Sequence, residues 1–144
     1  MNPPSEIIIK LVELFTQKEF DELEGKVEIL TKQYPNSCQL WNLLGSAHLG
    51  LGKNETAIKN FKKSIKKDPK YAPAHNNMAN ALRLSGKNEE ALTSYSKALQ
   101  IEPNFVDAYI GKANCLKDIN KLDEAEENLQ RANMVSKRQS DTKN

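Results

Sequence analysis

Residues 41–69 of this 144-residue chain read WNLLGSAHLGLGKNETAIKNFKKSIKKDP. The side chains that recur here at helical spacings are Trp41, Gly45, His48, Ala57, Phe61 and Ser64. Spacings of three and four place side chains on one face of a helix, and the wider gap after His48 separates two such faces. Gly52 lies in that gap and Pro69 ends the segment, as expected for a turn and a helix stop. The segment therefore predicts a helical hairpin.

The same pattern recurs along the chain at an interval of 34 residues. The positions that share this interval include Pro35, Pro69 and Pro103, and also Ala57, Ala91 and Ala125. Several matches in phase indicate an internal repeat, which predicts a row of stacked hairpins. We assign four units, residues 4–37, 38–71, 72–105 and 106–139. Residues 140–144 remain as a polar tail, which we expect to be disordered.

The repeated motif resembles the tetratricopeptide repeat, whose signature is W-x-x-L-G-x-x-Y, A-x-x-x-F and a closing P. The matching residues are Trp41, Leu44, Gly45, Ala57, Phe61 and Pro69, with His48 where the family prefers Tyr. The resemblance implies an all-α, right-handed α-solenoid of four helix-turn-helix hairpins, about eight helices in all. It also implies that the first helix of each hairpin lines a concave groove.

Asparagine is concentrated at the positions that this resemblance places in the groove. Asparagine is a mediocre helix former, but its amide offers both a donor and an acceptor to a peptide backbone. We therefore predict polar contacts with an extended or helical peptide from Asn42, Asn76, Asn77, Asn80, Arg83, Asn114 and Lys117. Residues 77–82, NMANAL, are similar to the asparagine ladder in the repeat region of O-linked N-acetylglucosamine transferase. The alternative is that these asparagines are ordinary solvated side chains.

The first helix is apolar around most of its circumference. The resemblance places Ile8, Val12 and Phe15 on its groove side. A helix with this pattern requires burial, and one neighbouring hairpin covers only part of it. Two interpretations stay open: a cap that buries itself against the second unit, and an exposed patch that binds a partner helix or a second copy of the chain.

Charge is balanced overall but uneven along the chain. The net charge is +2, and the four units carry −3, +5, 0 and 0. The excess lies in a basic stripe formed by Lys59, Lys62, Lys63, Lys66, Lys67 and Lys70. We do not expect a nucleic-acid partner, because the stripe has no interleaved aromatic residue free to stack on bases.

The sequence carries no recognisable catalytic or cofactor motif, and we predict no enzymatic activity and no cofactor. Cys38 and Cys115 are far apart and belong to no CxxC pair, so we predict neither a disulfide framework nor a metal site. His48 and His75 occupy core positions of the repeat, where a packed histidine is expected. No stretch approaches the roughly 20 apolar residues of a membrane span, and we expect a cytoplasmic protein.

The combined prediction is a non-enzymatic protein-protein interaction module that binds a peptide segment in its concave groove. Two alternatives come with it. The chain could be the recruiting or targeting region of a larger enzyme such as a glycosyltransferase, since similar arrays often precede catalytic domains. It could also be a scaffold that forms homo-oligomers through its apolar terminal helices. The residues do not identify the partner.

Overall fold

The protein is described by a computed structural model that covers residues 1–142. In this range the chain forms eight helices and no strand. The helices are α1 Ser5–Thr16, α2 Phe20–Gln33, α3 Cys38–Gly50, α4 Asn54–Lys67, α5 Ala72–Leu84, α6 Asn88–Ile101, α7 Val106–Asp118 and α8 Leu122–Thr142. Each predicted unit holds two helices, so the predicted all-α architecture is confirmed.

The helices are stacked in a curved row. Each helix packs on the next one along the chain, and the first helices of adjacent hairpins also contact one another: α1 with α3, α3 with α5, and α5 with α7. The described residues contain no matching contact between second helices such as α4 and α6. Because only the first helices approach one another, the row bends toward them and their free face becomes the inner surface. This is the predicted α-solenoid.

The turn inside each hairpin uses one residue with positive φ. Gly52 and Gly86 adopt φ values of 77° and 79°, and Asn120 takes the equivalent place at 62°. This conformation is open to Gly without cost and is tolerated by Asn, as the sequence predicts. In the first hairpin Lys18 occupies the position at 60°. A lysine gives no signal for this conformation, so the sequence does not identify that turn.

The repeated small residues let a large ring enter between paired helices. Phe61 is fully buried, and a Cβ atom added to Gly45 would lie 2.5 Å from its Cε1 atom. Tyr95 is equally buried. Its ring packs against Gly111 of the next hairpin, whereas Phe61 packs against Gly45 of its own hairpin. The alternation of small and large residues therefore sets how closely neighbouring helices approach.

The last helix is longer than the others and corrects one prediction. Residues 140–142, which the sequence assigns to a disordered tail, continue α8 to Thr142. The segment from Leu122 to Thr142 contains neither Gly nor Pro, so no residue in it stops the helix. The remainder of the predicted tail, 143–144, lies outside the described residues. Among residues 1–142, no helix combines the length and apolar character needed to cross a bilayer.

Candidate functional site

The inner surface of the row is formed by α1, α3, α5 and α7, and the predicted groove residues lie on these four helices. The structure shows how far each side chain is available there. Some of the predicted residues bond to a neighbouring repeat, some are buried, and some remain exposed. These three groups define what the surface presents to a ligand.

Asn42 and Asn77 form a hydrogen bond between adjacent repeats. Asn77 Nδ2 on α5 donates to Asn42 Oδ1 on α3 at 3.0 Å. Asn42 is buried and Asn77 is half-buried. Asn42 therefore connects two repeats and is not accessible to a peptide. The predicted contact from Asn42 does not fit this geometry. The Oδ1 atom of Asn77 remains as the acceptor of its amide.

Asn80 is held by the ring that enters from the second helix of its own hairpin. The Tyr95 hydroxyl on α6 donates a hydrogen bond to Asn80 Oδ1. Burial raises the pKa of Tyr95, so the hydroxyl stays protonated and keeps its role as donor at neutral pH. The amide of Asn80 is thereby oriented with its Nδ2 group as the remaining donor.

Asn76 differs from the other groove asparagines because it is buried without a partner. It is 6% exposed, and within residues 1–142 its Oδ1 atom has no hydrogen-bond partner. A buried acceptor without a partner costs a fold about 1–3 kcal/mol. The sequence-based expectation that Asn76 offers a surface contact is therefore not met by the geometry of this structure.

Arg83 on α5 forms an ion pair with Asp118 on α7. Its Nη1 atom lies 3.6 Å from Asp118 Oδ2. The pair neutralises both charges at this point of the inner surface, so Arg83 does not act there as an isolated cation. Asn114 is half-buried and Lys117 is exposed on the neighbouring α7. The expected contact of Lys117 with a ligand in the groove stays a prediction.

The first helix leaves an apolar end on the inner surface. Val12 and Phe15 are 44% and 42% exposed, and Ile9 beside them is also exposed. Ile8 is half-buried and packs against the core that α1, α2 and α3 share. The helix is therefore covered on one side by the next hairpin and exposed on the other. Binding of a partner helix or a second copy to the exposed side stays a prediction.

A recurring contact that the sequence does not reveal joins each later repeat to the one before it. Trp41 Nε1 donates to the Pro35 carbonyl at 2.8 Å, and the Tyr109 hydroxyl donates to that of Pro103 at 2.9 Å. His75 Nε2 lies 2.9 Å from the Pro69 carbonyl in the equivalent position. These rings share a flat apolar body and a polar tip. The histidine thus has a structural hydrogen bond.

The basic stripe lies on and just beyond α4, away from the inner surface. Lys63 Nζ sits 4.5 Å from the centroid of the Trp41 ring, and Lys67 Nζ donates to Asn36 Oδ1 at 3.2 Å. The Trp41 ring thus lies against a lysine of the stripe itself. The expectation that the stripe binds no nucleic acid stays a prediction.

The described geometry defines a class of protein: a short α-solenoid whose inner surface is formed by the first helix of each hairpin. Three family models match the sequence, described as tetratricopeptide repeat over residues 72–105, TPR repeat over 45–84 and tetratricopeptide repeat over 94–127. Together they span residues 45–127, more than half of the chain. The chain belongs to the tetratricopeptide repeat proteins, which confirms the resemblance of the repeated motif to that family. The likeness of residues 77–82 to the repeat region of O-linked N-acetylglucosamine transferase stays a prediction.

Solved structures place the same fold in other proteins. A crystal structure of MamA is similar to this chain with a TM-score of 0.78 and 19% identity, and the match covers 93% of this chain and 81% of that one. A chain of the APC/C hetero-tetramer Cut9-Hcn1 is similar with a TM-score of 0.83 and 21% identity, covering 92% of this chain and 26% of that chain. No curated protein matches the sequence. At these identities the likeness concerns the fold.

Proposed function

We propose that this chain is a non-enzymatic interaction module that binds an extended peptide along its inner surface. The observation that carries the proposal is the paired orientation of two amides on α5. Asn77 uses Nδ2 to bond Asn42, and Asn80 uses Oδ1 to accept from Tyr95. The amides therefore present an acceptor and a donor, in that order, one helical turn apart.

An extended peptide has the complementary groups. Each of its residues carries one backbone N–H donor and one C=O acceptor, and these point alternately to the two sides of the strand. Side chains three residues apart on a helix are neighbours, so Asn77 Oδ1 and Asn80 Nδ2 lie within reach of one short peptide segment. Contacts of this kind do not depend on the peptide's side chains. They favour a backbone-binding role for α5.

The two ends of the surface supply the selectivity. Val12 and Phe15 on α1 offer exposed apolar area, which favours an apolar peptide residue at that end. Lys117 on α7 offers a positive charge at the other end and has no salt-bridge partner among residues 1–142, since the neighbouring Asp118 pairs with Arg83. We therefore expect a peptide with an apolar anchor at one end and an acidic residue at the other.

A peptide-library selection against the purified chain tests this proposal. Bound peptides are measured by fluorescence anisotropy against Lys117→Glu, which reverses the charge on the inner surface. Lys97→Glu on α6 is the matched control, because Lys97 is also exposed but lies on a second helix. We expect binding to weaken about tenfold in Lys117→Glu and to stay unchanged in Lys97→Glu. Equal loss in both, or a library that yields no binding peptide, would contradict the proposal.

Self-association is the second candidate, favoured by the exposed Val12 and Phe15 on α1. Here the apolar end would be covered by another copy of the chain. The test is the molecular mass in solution over a wide dilution series, measured for the native chain and for Val12→Gln. A mass that falls on dilution and is already monomeric in the variant supports this candidate, whereas a monomer at every concentration contradicts it.

A further inference from the structure

Three side chains with metal-ligating atoms converge where the first hairpin meets the second. Glu24 and Glu28 lie on α2, four residues apart and so on one face of that helix. His48 comes from α3. One carboxylate oxygen from each Glu and one ring nitrogen of His48 all lie within 4.8 Å of one another. His48 is far from the two glutamates in the sequence, so the three residues belong to no short motif.

His48 is fixed in place by a second buried side chain. Its side chain is 7% exposed, and its Nδ1 atom lies 2.8 Å from Asn60 Nδ2 on α4. Its other nitrogen, Nε2, faces Glu24 Oε2 at 3.8 Å, which is longer than a hydrogen bond. A buried imidazole nitrogen thus points into a pair of carboxylates without being hydrogen-bonded to the nearer one.

The Asn60 amide can form a hydrogen bond with either neutral tautomer of the His48 ring. With its Nδ2 group toward Nδ1 it donates to the imidazole, and turned by half a revolution it accepts an N–H from Nδ1 through Oδ1. The second arrangement leaves the lone pair of His48 Nε2 free for a metal ion. Metal-binding histidines are generally held in this way by a partner on the other ring nitrogen.

We infer that Glu24, Glu28 and His48 form a binding site for a divalent transition-metal ion of the Zn²⁺ type. Zinc accepts imidazole nitrogen and carboxylate oxygen at about 2.0–2.2 Å, so ligand atoms around a tetrahedral ion lie roughly 3.4 Å apart. The observed separations reach this value through small side-chain movements. Water completes the coordination. Mg²⁺ and Ca²⁺ prefer oxygen ligands alone and fit the set less well.

Lys53 competes with a metal ion for the carboxylate of Glu24. Its Nζ atom lies 3.3 Å from Glu24 Oε2, and its side chain is about half exposed. The ammonium group can therefore turn into solvent when a metal ion takes the carboxylate. Substitution of Lys53 is therefore expected to strengthen metal binding, because the ion no longer competes with the ammonium group for Glu24.

The site joins two hairpins, because Glu24 and Glu28 belong to the first and His48 to the second. A metal ion held only by the folded arrangement stabilises it and resists separation of α2 from α3. This role is independent of peptide binding on the inner surface, since the site and the groove share no residue.

The test uses the purified chain without an affinity tag, stripped of metal with a chelator. ZnCl₂ is titrated by calorimetry, and thermal unfolding is followed by circular dichroism with and without the ion. At free zinc ten times the dissociation constant, we expect the midpoint of unfolding to rise by about 3–6 °C. Co²⁺ in place of Zn²⁺ is expected to give visible absorption bands typical of four- or five-coordinate nitrogen and oxygen ligation.

Three variants decide the assignment. Glu28→Gln, at an exposed position, is expected to keep the circular dichroism spectrum, lose at least tenfold in zinc affinity and lose the thermal shift. Glu22→Gln is the matched control, because Glu22 lies on the same helix and pairs with Lys26 at 3.3 Å. Lys53→Gln is expected to bind zinc several-fold more tightly than the native chain. Equal affinity in the native chain and Glu28→Gln, or equal loss in Glu22→Gln, would overturn the inference.

Discussion

Asn77 and Asn42 join the first helices of two neighbouring hairpins through one hydrogen bond of 3.0 Å between their side-chain amides. The bond uses the Nδ2 group of Asn77 and the Oδ1 atom of Asn42, and it fixes the direction in which Asn77 Oδ1 points. Because Asn42 is buried, the inner surface at this point presents Asn77 alone. The proposed peptide contact and the stability of the fold therefore involve the same side chain, Asn77.

The bond between Asn42 and Asn77 is expected to contribute measurably to stability. Each single change, Asn42→Ala or Asn77→Ala, should lower the free energy of unfolding by about 0.5–1.5 kcal/mol, and the double variant should lose less than the sum. Urea unfolding of the four proteins gives the coupling energy. Asn77→Ala combined with Asn128→Ala on the distant α8 is the control and should be additive. Additivity for Asn42 and Asn77 would refute the interaction.

Two glycine substitutions should have effects of opposite sign. Gly45→Ala places a methyl group against the buried Phe61 ring and is expected to cost about 1–3 kcal/mol of stability. Gly25→Ala, on the exposed face of α2 with no atom within 4 Å of the added carbon, should stabilise the helix by about 0.5–1 kcal/mol. Thermal unfolding checks both. A stabilising Gly45→Ala would mean that the ring does not limit the approach of α3 and α4.

The hydrogen bond from His75 to the Pro69 carbonyl is expected to be replaceable by a tyrosine. His75→Phe keeps an aromatic body but loses the donor, and should lower the free energy of unfolding by about 1 kcal/mol. His75→Tyr should recover most of the loss, because Tyr109 makes the same contact with Pro103 in the next repeat. Equal stability of the Phe and Tyr variants in urea would show that the bond contributes nothing.

The two cysteines should differ in reactivity. Burial raises the pKa of both thiols, with Asp68 adding to the effect at Cys38 and Asp118 at Cys115. A raised pKa lowers the thiolate fraction at neutral pH, so both should react slowly with iodoacetamide and faster as the pH rises. Cys38 is half-buried and Cys115 is fully buried, so Cys38 should be modified first.

Mass spectrometry of peptides from timed reactions measures the two rates. In denaturant the cysteines should react at similar rates, which controls for the local sequence. Equal rates in the native chain would contradict the buried position of Cys115.

Much of the fold is predictable from the sequence, because local rules control it. Small residues such as Gly45 and Ala57 and large ones such as Phe61 recur at one interval, and this interval places the helices. The position of the groove is what the family resemblance implies. The turns at Gly52 and Gly86 follow from the freedom of glycine at positive φ. The end of α8 is less predictable, since a polar segment without Gly or Pro is compatible with either helix or coil.

The chemistry of the surface is less predictable, because it depends on contacts between helices. The repeat places Asn42 and Asn76 at groove positions, yet both are buried, and burial depends on how closely α3 and α5 approach. The Asn80–Tyr95 bond and the Glu24–Glu28–His48 cluster likewise join residues of different helices. No short motif contains these partners, so their distance in space is visible only in the folded chain.

The position of a bound peptide tests most directly whether the inner surface is the binding site. A ¹⁵N-labelled sample is titrated with a peptide obtained from the library selection, and amide and side-chain NH₂ signals are followed by NMR. We expect the largest shifts to fall on α1, α3, α5 and α7, with the Asn80 and Asn114 side-chain signals among them. Shifts concentrated on α4, α6 and α8 would contradict it.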